Sequence, residues 1–461
     1  MIKTIQYTLL LFFSLTNGAA YSQGVWSHGR LKVTSDGHML QYTDGTPFFW
    51  LGDTGWELFH RLTLEEIKTY LDNRAAKGFN LIQAVALAEF DGLKRPNRYG
   101  QVPFHQLDPT QPNEQYFSII DSTVAMAMQR KIFIGLLPTW GDKVTAGWGE
   151  GPEIFNSSNA YIYGKWIGQR YRKFPNIVWI LGGDRPARKG TTDWTSIWRQ
   201  MAKGINDGTD HLCILAYHPG GGPYSTSQFL QGESWLDINM FQSGHGSGHD
   251  VPCWQLVYRD RSLLPVRPTL DAEPNYEDHP VNPWPTWDPA NGYFSDYDVR
   301  KQCYRSVFAG ACGVTYGHHA VWQFYSPREE KINHADRYWT EAIDRPGAFQ
   351  VGYLRQLIQK WKAWDRIPDT TMILDGQGEK GAYCTAFKTP DSALIMVYLP
   401  EGKTITLNTS SLRSGSIKIT WFNPRENSYR EEKVRSSTKS MKYTAPQLGV
   451  GKDWVLILAP A

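Results

Sequence analysis

Asn176-Ile177-Val178-Trp179-Ile180-Leu181-Gly182-Gly183-Asp184 is a short apolar run that ends on a carboxylate at a glycine turn. Arg267-Pro268-Thr269-Leu270-Asp271-Ala272-Glu273-Pro274 repeats the theme downstream. Short apolar runs without polar alternation mark strands buried on both faces. The strands read here are Ile177–Gly182 and Pro265–Glu273. Others of the kind are Pro47–Gly52, Asn80–Leu87, Ile132–Leu137, Cys213–Tyr217, Asp237–Gln242 and Gly313–Gly317. Helical periodicity lies between several of them, at Thr63–Lys77, Tyr116–Arg130, Ala160–Phe174 and Thr192–Asp207, and later at Arg300–Ala309 and Val351–Ala363. Thr63 is a natural N-cap, with Glu66 three residues on to close a capping box. Eight strands alternating with helices predict an α/β fold, a (β/α)8 TIM barrel. The rival is a doubly wound open sheet, but no glycine-rich phosphate loop follows the first strand.

Outward from the barrel the texture changes. Residues 24–47 hold two turn signals, Ser35-Asp36-Gly37 and Thr43-Asp44-Gly45-Thr46-Pro47, and read as a β-hairpin leading into the main domain, with room to pack beside the C-terminal region. After Asp365 helical periodicity stops. Alternating runs at Ala382–Lys388, Ala393–Leu399, Thr404–Asn408, Ser416–Phe422 and Trp454–Leu458 predict a C-terminal antiparallel β-sandwich. The expected plan is a barrel with its hairpin at 23–365 and a sandwich at 366–461. Residues 1–22 read as a signal peptide: Lys3, an apolar stretch from Tyr7 to Leu15, then Gly18, Ala19, Ala20 and Ser22. The apolar run is too short to span a bilayer. No Cys lies near the cleavage point, so the expectation is export to the periplasm or cell surface, not as a lipoprotein.

Composition narrows the partners. The 461 residues include 19 Trp and 24 Tyr, more than packing requires. Their rings pair an apolar face with a polar edge, as sugar rings do, so a carbohydrate is favoured. The net charge of +3 is mild and shows no basic clustering, which excludes a nucleic-acid binder and tolerates an anionic polymer. Cys213, Cys253, Cys303, Cys312 and Cys384 show no metal-site spacing and read as buried thiols with at most one disulfide. His245 and His249 lie in a glycine-rich loop, and His318 and His319 are adjacent. Neither pattern supports a metal, and no cofactor is implied.

A barrel carries its chemistry at the C-terminal ends of its strands. Asp184 after strand four and Glu273 after strand seven would face each other across one pocket. Glycosidic cleavage needs such a pair: one carboxyl protonates the departing oxygen, and the other attacks the anomeric carbon or activates water. Paired carboxylates at these strands resemble clan A glycoside hydrolases, whose strand-four motif is usually Asn-Glu where this chain has Gly183-Asp184. Four stretches together resemble a narrower group, glycoside hydrolase family 140. They are Trp50-Leu51-Gly52-Asp53-Thr54-Gly55-Trp56, Lys77-Gly78-Phe79-Asn80, Leu181-Gly182-Gly183-Asp184 and Asp271-Ala272-Glu273-Pro274-Asn275-Tyr276-Glu277. That family acts as an apiosidase on the pectic polysaccharide rhamnogalacturonan II, and its second domain is a collagen-binding-type β-sandwich. The resemblance implies retention. Glu273 would attack apiose C1, and Asp184 would protonate the galacturonate oxygen and then deprotonate water. The implied carboxyl separation is about 5–5.5 Å rather than about 6.5–9.5 Å. Burial and the Glu273 charge should raise the Asp184 pKa.

Other barrel-top residues are weaker candidates for holding the glycan. Asp53 reads equally as a sugar ligand or a cap, and Trp56 follows it. Glu89 follows strand two, and Trp140 follows strand three as a stacking platform. His218 follows strand five beside a Gly-rich loop. Gln242, Ser243 and His245 follow strand six; His318, His319 and Trp322 follow strand eight. Tyr276 sits where it can bond the nucleophile. Arg185 flanks Asp184 and is either a clamp for an anionic sugar or turned away, because close pairing would depress the Asp184 pKa. Two alternatives stay open at this point: an inactive glycan-binding barrel, and a glycosidase of another specificity.

Overall fold

The computed structural model describes residues 26–461 apart from 413, 414 and 437. The leader expected at residues 1–22 lies outside the described residues. Eight parallel strands close into a barrel: β1 (Trp50–Thr54), β2 (Leu81–Val85), β3 (Phe133–Leu137), β4 (Ile177–Gly182), β5 (Leu215–His218), β6 (Ile238–Phe241), β7 (Thr269–Asp271) and β8 (Gly313–Tyr316). Every strand residue is buried, as double-sided burial requires. The ring closes where β8 pairs with β1, with Val314 opposite Leu51.

The outer helices are α1 (Leu64–Ala76), α2 (Glu114–Gln129), α3 (Ser157–Tyr171), α4 (Thr195–Gly208), α5 (Cys253–Arg261), α6 (Asp296–Phe308) and α7 (Pro346–Lys360). Thr63 caps α1 in a complete capping box with Glu66. The helix α5 has no counterpart in the sequence reading. It is only nine residues long, and its Arg259-Asp260-Arg261 end masks the apolar stripe of Cys253, Trp254, Leu256 and Val257.

A hydrogen-bonded chain runs through the barrel interior. The Trp50 indole donates to Thr315 Oγ1 (3.0 Å), and the Thr315 hydroxyl donates to Gln83 Oε1 (2.9 Å). Gln83 Nε2 then donates to the carbonyl of Ala272 (3.0 Å). Buried polar groups stay only when partnered, and these link three strands and hold the peptide after β7 that precedes Glu273.

The N-terminal region forms one strand more than a hairpin. It is a three-stranded sheet of Leu31–Val33, Leu40–Tyr42 and Pro47–Phe48. Its apolar face does not turn to the sandwich. Leu31, Met39, Leu40 and Phe48 pack with Leu81, Phe133, Val178 and Ile214 and close the N-terminal end of the barrel. The reason is burial: that end exposes apolar side chains that no barrel helix covers.

The C-terminal domain is a pair of antiparallel sheets. One contains β9 (Thr385–Lys388), β10 (Ile395–Leu399), β12 (Ser416–Asn423), β13 (Ser428–Glu431) and β15 (Trp454–Pro460). The other contains β11 (Gly402–Asn408) and β14 (Ser440–Gly449). Its outer face docks on α6 and α7. Tyr304, Val307, Phe308, Leu354 and Ile358 share one core with Phe387, Met396, Tyr398 and Val455. Within this seam Arg300 clamps Asp453 through both arms, at 2.8 and 2.9 Å, and Tyr398 donates to the same carboxylate (3.0 Å). The five cysteines are free thiols, so no disulfide ties the domains. Among the described residues no helix is long and apolar enough to cross a membrane.

The clamp yields a prediction. Arg300→Ala strands a buried carboxylate and should lower stability by about 3–5 kcal/mol. Arg425→Ala loses neutral hydrogen bonds to the Gly451 and Asp453 carbonyls and to Gln447, with a looser 3.5 Å contact to the Asp453 carboxylate, and leaves the Arg300 clamp in place, so it should cost less, about 1–2 kcal/mol. Urea unfolding of both variants tests this, and equal losses would remove the clamp from the seam.

Candidate active site

The site begins in the turn that ends β4. Gly182, Gly183 and Asp184 all have positive φ, at 88°, 92° and 58°. A Cβ on Gly182 would stand 2.3 Å from the His218 carbonyl, and one on Gly183 would stand 2.8 Å from the Gly141 nitrogen. Glycine is therefore required twice, for conformation and for space. The tight turn carries the backbone into the pocket, which suits the short Asp side chain. The Asp184 side chain is 23% exposed at the mouth.

Across the pocket, Glu273 follows β7 at a position two residues beyond the strand. His218, the last residue of β5, brings Nε2 to 3.2 Å from one carboxylate oxygen, and His245 brings Nε2 to 3.4 Å from the other. The His245 tautomer is set by the backbone, because the Tyr276 N–H donates to Nδ1 (3.2 Å) and leaves the proton on Nε2, facing Glu273. His279 stacks on His245 at 4.2 Å and His319 meets His279 edge-on at 4.3 Å.

The two carboxyls are pushed apart in pKa. Burial favours the neutral form of Glu273, but His218 and His245 overcome it and hold Glu273 well below the usual carboxylate range. Burial and the Glu273 charge push Asp184 up to about 7, against the opposing Arg185 and His218. Glu89 is pushed up to about 8 by burial and by the charge on Asp184. Tyr276 is kept in its phenol form by burial and by Glu273, and its oxygen accepts the Trp56 indole N–H (3.1 Å). One proton-holding and one ionised carboxyl in one pocket is the division of labour that glycosidic cleavage needs.

Trp56, Trp140 and His218 form one aromatic wall: Trp56 lies 5.2 Å from Trp140 and edge-on to His218 at 5.4 Å. Gln242 lies beside the β5 loop, its side-chain oxygen 2.9 Å from where a Cβ on Gly221 would stand. His319 donates through Nε2 to the carbonyl of Asn333 (2.9 Å) and accepts the Trp322 indole N–H (3.3 Å), so both support the rim from below. His318 is turned away to Asp278 (3.1 Å).

Like His318, Asp53 and Arg185 do not face the pocket. Asp53 is fully buried between the barrel and α1, with Arg74 Nε and the Tyr70 hydroxyl each at 2.5 Å. Strand alternation decides this: on β1, Trp50 and Thr54 point inward and Asp53 points outward. Arg185 is 1% exposed. Its guanidinium donates to the Ala146 carbonyl and lies under the Trp148 ring at 4.0 Å, 3.7 Å from the Asp184 carboxylate. It is spent on the turn and reaches no anionic sugar. His279, Trp148 and Trp284 also stand at the site, and no strand-end pattern in the sequence marks His279. For the two tryptophans a signal existed: each stands in a loop after a barrel strand, flanked by glycines in Gly147-Trp148-Gly149 and by prolines in Pro283-Trp284-Pro285.

Comparison with known proteins agrees with this architecture. Residues 34–365 match the family described as "Apiosidase-like, catalytic domain". Residues 367–459 match "Putative collagen-binding domain of a collagenase". A solved structure titled "Glycoside hydrolase" is 30% identical with a TM-score of 0.85, covering 95% of this chain and 98% of that one. A glycoside hydrolase family 5 structure from Bacteroides vulgatus is 29% identical with a TM-score of 0.85, covering 94% of this chain and 93% of that one. No curated protein matches. The family match and these structural neighbours, on a barrel of this kind, make the molecule an O-glycoside hydrolase. More narrowly, the chain belongs to the apiosidase-like family.

The raised Asp184 pKa has a stability consequence. The folded state keeps a proton that the unfolded chain, with an ordinary Asp near 3.9, has released. Stability contributed here falls as pH rises toward about 7. Asp184→Asn should therefore melt at a higher temperature than the parent at pH 8, with the gap closing below pH 4. A melting curve unchanged at pH 8 would show that Asp184 is not strained.

Proposed function

We propose that the chain is an exported, retaining apiosidase of glycoside hydrolase family 140, with Glu273 as nucleophile and Asp184 as acid/base. The substrate is the apiose–galacturonate linkage in side chains of pectic rhamnogalacturonan II. The observation that carries the mechanism is the pair of imidazoles, His218 and His245, set against the two oxygens of Glu273. Glu273, kept anionic by His218 and His245, attacks the anomeric carbon. Asp184, which holds its proton up to about pH 7, delivers it to the leaving oxygen. Once the leaving group is gone, Asp184 is an anion and takes a proton from water, which then attacks the glycosyl-enzyme. The sugar identity is supported by the family match over residues 34–365 and by the motif resemblance. Export is supported by the leader-like residues 1–22.

Purified protein is incubated with rhamnogalacturonan II side-chain oligosaccharides and the products are read by mass spectrometry. The parent should release a fragment that ends in apiose. Glu273→Gln should abolish release, and Asp184→Ala should reduce it by roughly 10²–10⁴-fold, with azide restoring turnover of an activated apioside as a glycosyl azide of retained configuration. Turnover that survives Glu273→Gln would assign the nucleophile elsewhere, and an inverted product would replace double displacement by a single step.

The pH profile follows from the same pair. kcat/KM should fall as pH rises through about 7, where Asp184 loses the proton it donates, and fall in acid as Glu273 gains one. His218→Ala or His245→Ala removes a group that stabilises the anion, so the acid limb should move up. An unmoved acid limb in both variants would detach the histidines from the nucleophile.

A further inference from the structure

Trp148 and Trp284 are large apolar rings left in water, 49% and 60% exposed, on a molecule that buries most of its other tryptophans. They come from opposite sides of the pocket, one from the loop after β3 and the other from the loop after β7, and meet edge-to-face with centroids 6.4 Å apart. Both are held in place. Gly147 has a φ of 56°, and a Cβ on Gly149 would stand 2.6 Å from an Arg185 nitrogen, so only glycine lets this loop lie down on the guanidinium. Arg185 supports the Trp148 ring at 4.0 Å while its own arms grip the Ala146 carbonyl. The Trp284 loop is tied by Asn291, which donates to the Asn282 carbonyl (2.6 Å), and by the Trp287 N–H, which donates to Pro283 (2.8 Å).

The pair stands over the proton donor. A Cβ on Gly220 would lie 3.4 Å from the Asp184 carbonyl oxygen and 4.0 Å from the Trp148 ring, so the ring and the Asp184 turn share one gap. The Trp148 side chain also interacts with the Asp184 carboxylate. The group beside the proton donor in a glycosidase is the leaving group. A contiguous exposed aromatic surface marks a ligand site, and the ligand that an indole face fits is a ring with an apolar C–H face and polar rims.

We propose that Trp148 and Trp284 form the leaving-group subsite, which takes a pyranose ring through its C–H face. The inference rests on Asp184 being the acid and extends that reading to the sugar on the far side of the bond. Arg185, buried beneath Trp148, is not free to meet a uronate carboxylate, so what the two rings offer a uronate is contact with its ring.

Trp284 is the residue to change, because Trp148 also backs Arg185. The parent, Trp284→Ala and Trp284→Phe are assayed on the rhamnogalacturonan II oligosaccharide and on apiosyl fluoride, whose leaving group carries no ring. Trp284→Ala should raise KM for the oligosaccharide by roughly threefold to tenfold, the worth of one aromatic contact. The loss on the fluoride should be smaller than about twofold, and Trp284→Phe should recover most of the KM. Equal losses on both substrates, or none on the oligosaccharide, would overturn the subsite. If the parent turns over neither substrate, the apiosidase reading has failed, and the subsite is then read by tryptophan fluorescence with digalacturonic acid as probe. Quenching that Trp284→Ala removes would uphold it, and a titration identical in the two proteins would overturn it.

Discussion

The contact on which the site depends is that of the Glu273 carboxylate with the imidazoles of His218 and His245. A carboxylate in so buried a place would ordinarily take up a proton. Two imidazoles, one with its tautomer set by the Tyr276 amide, keep it charged. Burial and that charge together hold the proton on Asp184. The chemistry of each carboxyl is therefore set by the state of the other, and the histidines choose which is which.

The barrel supplies the geometry for that contact. His218 pairs with Gly182 in the register of β5 on β4, so the imidazole and the turn that carries Asp184 leave the same level of the wall. Across the barrel, Gln83 grips the carbonyl of Ala272 and anchors the peptide that leads to Glu273. The loop beyond Glu273 is pinned as well. Glu277 accepts the Tyr316 hydroxyl (2.6 Å) and the N–H of Gly347 at the start of α7 (3.1 Å), and Asp278 holds His318 and Arg345. Rigid support of this kind fixes the position of the Glu273 carboxylate.

The sandwich is not a tethered appendage. It shares an apolar core with α6 and α7 and a buried clamp with Arg300. Because α6 also sends Gln302 to Ser243 (2.6 Å), behind the β6 and β7 ends, the helix that carries the second domain also backs the loops around Glu273. This continuity gives a physical reason for the two domains to occur together, since each covers apolar surface that the other would expose.

The sequence alone determined the alternation of strand and helix, because double-sided burial writes itself as apolar runs such as Ile177–Gly182. It also determined the capping box at Thr63 and the two carboxylates that end strands, because these signals are local. The direction of Asp53, the burial of Arg185 and the place of the hairpin were decided by the tertiary structure. Asp53 and Trp56 look alike as neighbours of one strand end, yet strand alternation and Arg74 send one outward while the other lines the pocket. The bracketing of Glu273 joins residues from three strand ends that are far apart in the chain. No spacing in the sequence encodes it, since the distances that set protonation exist only once the barrel has closed.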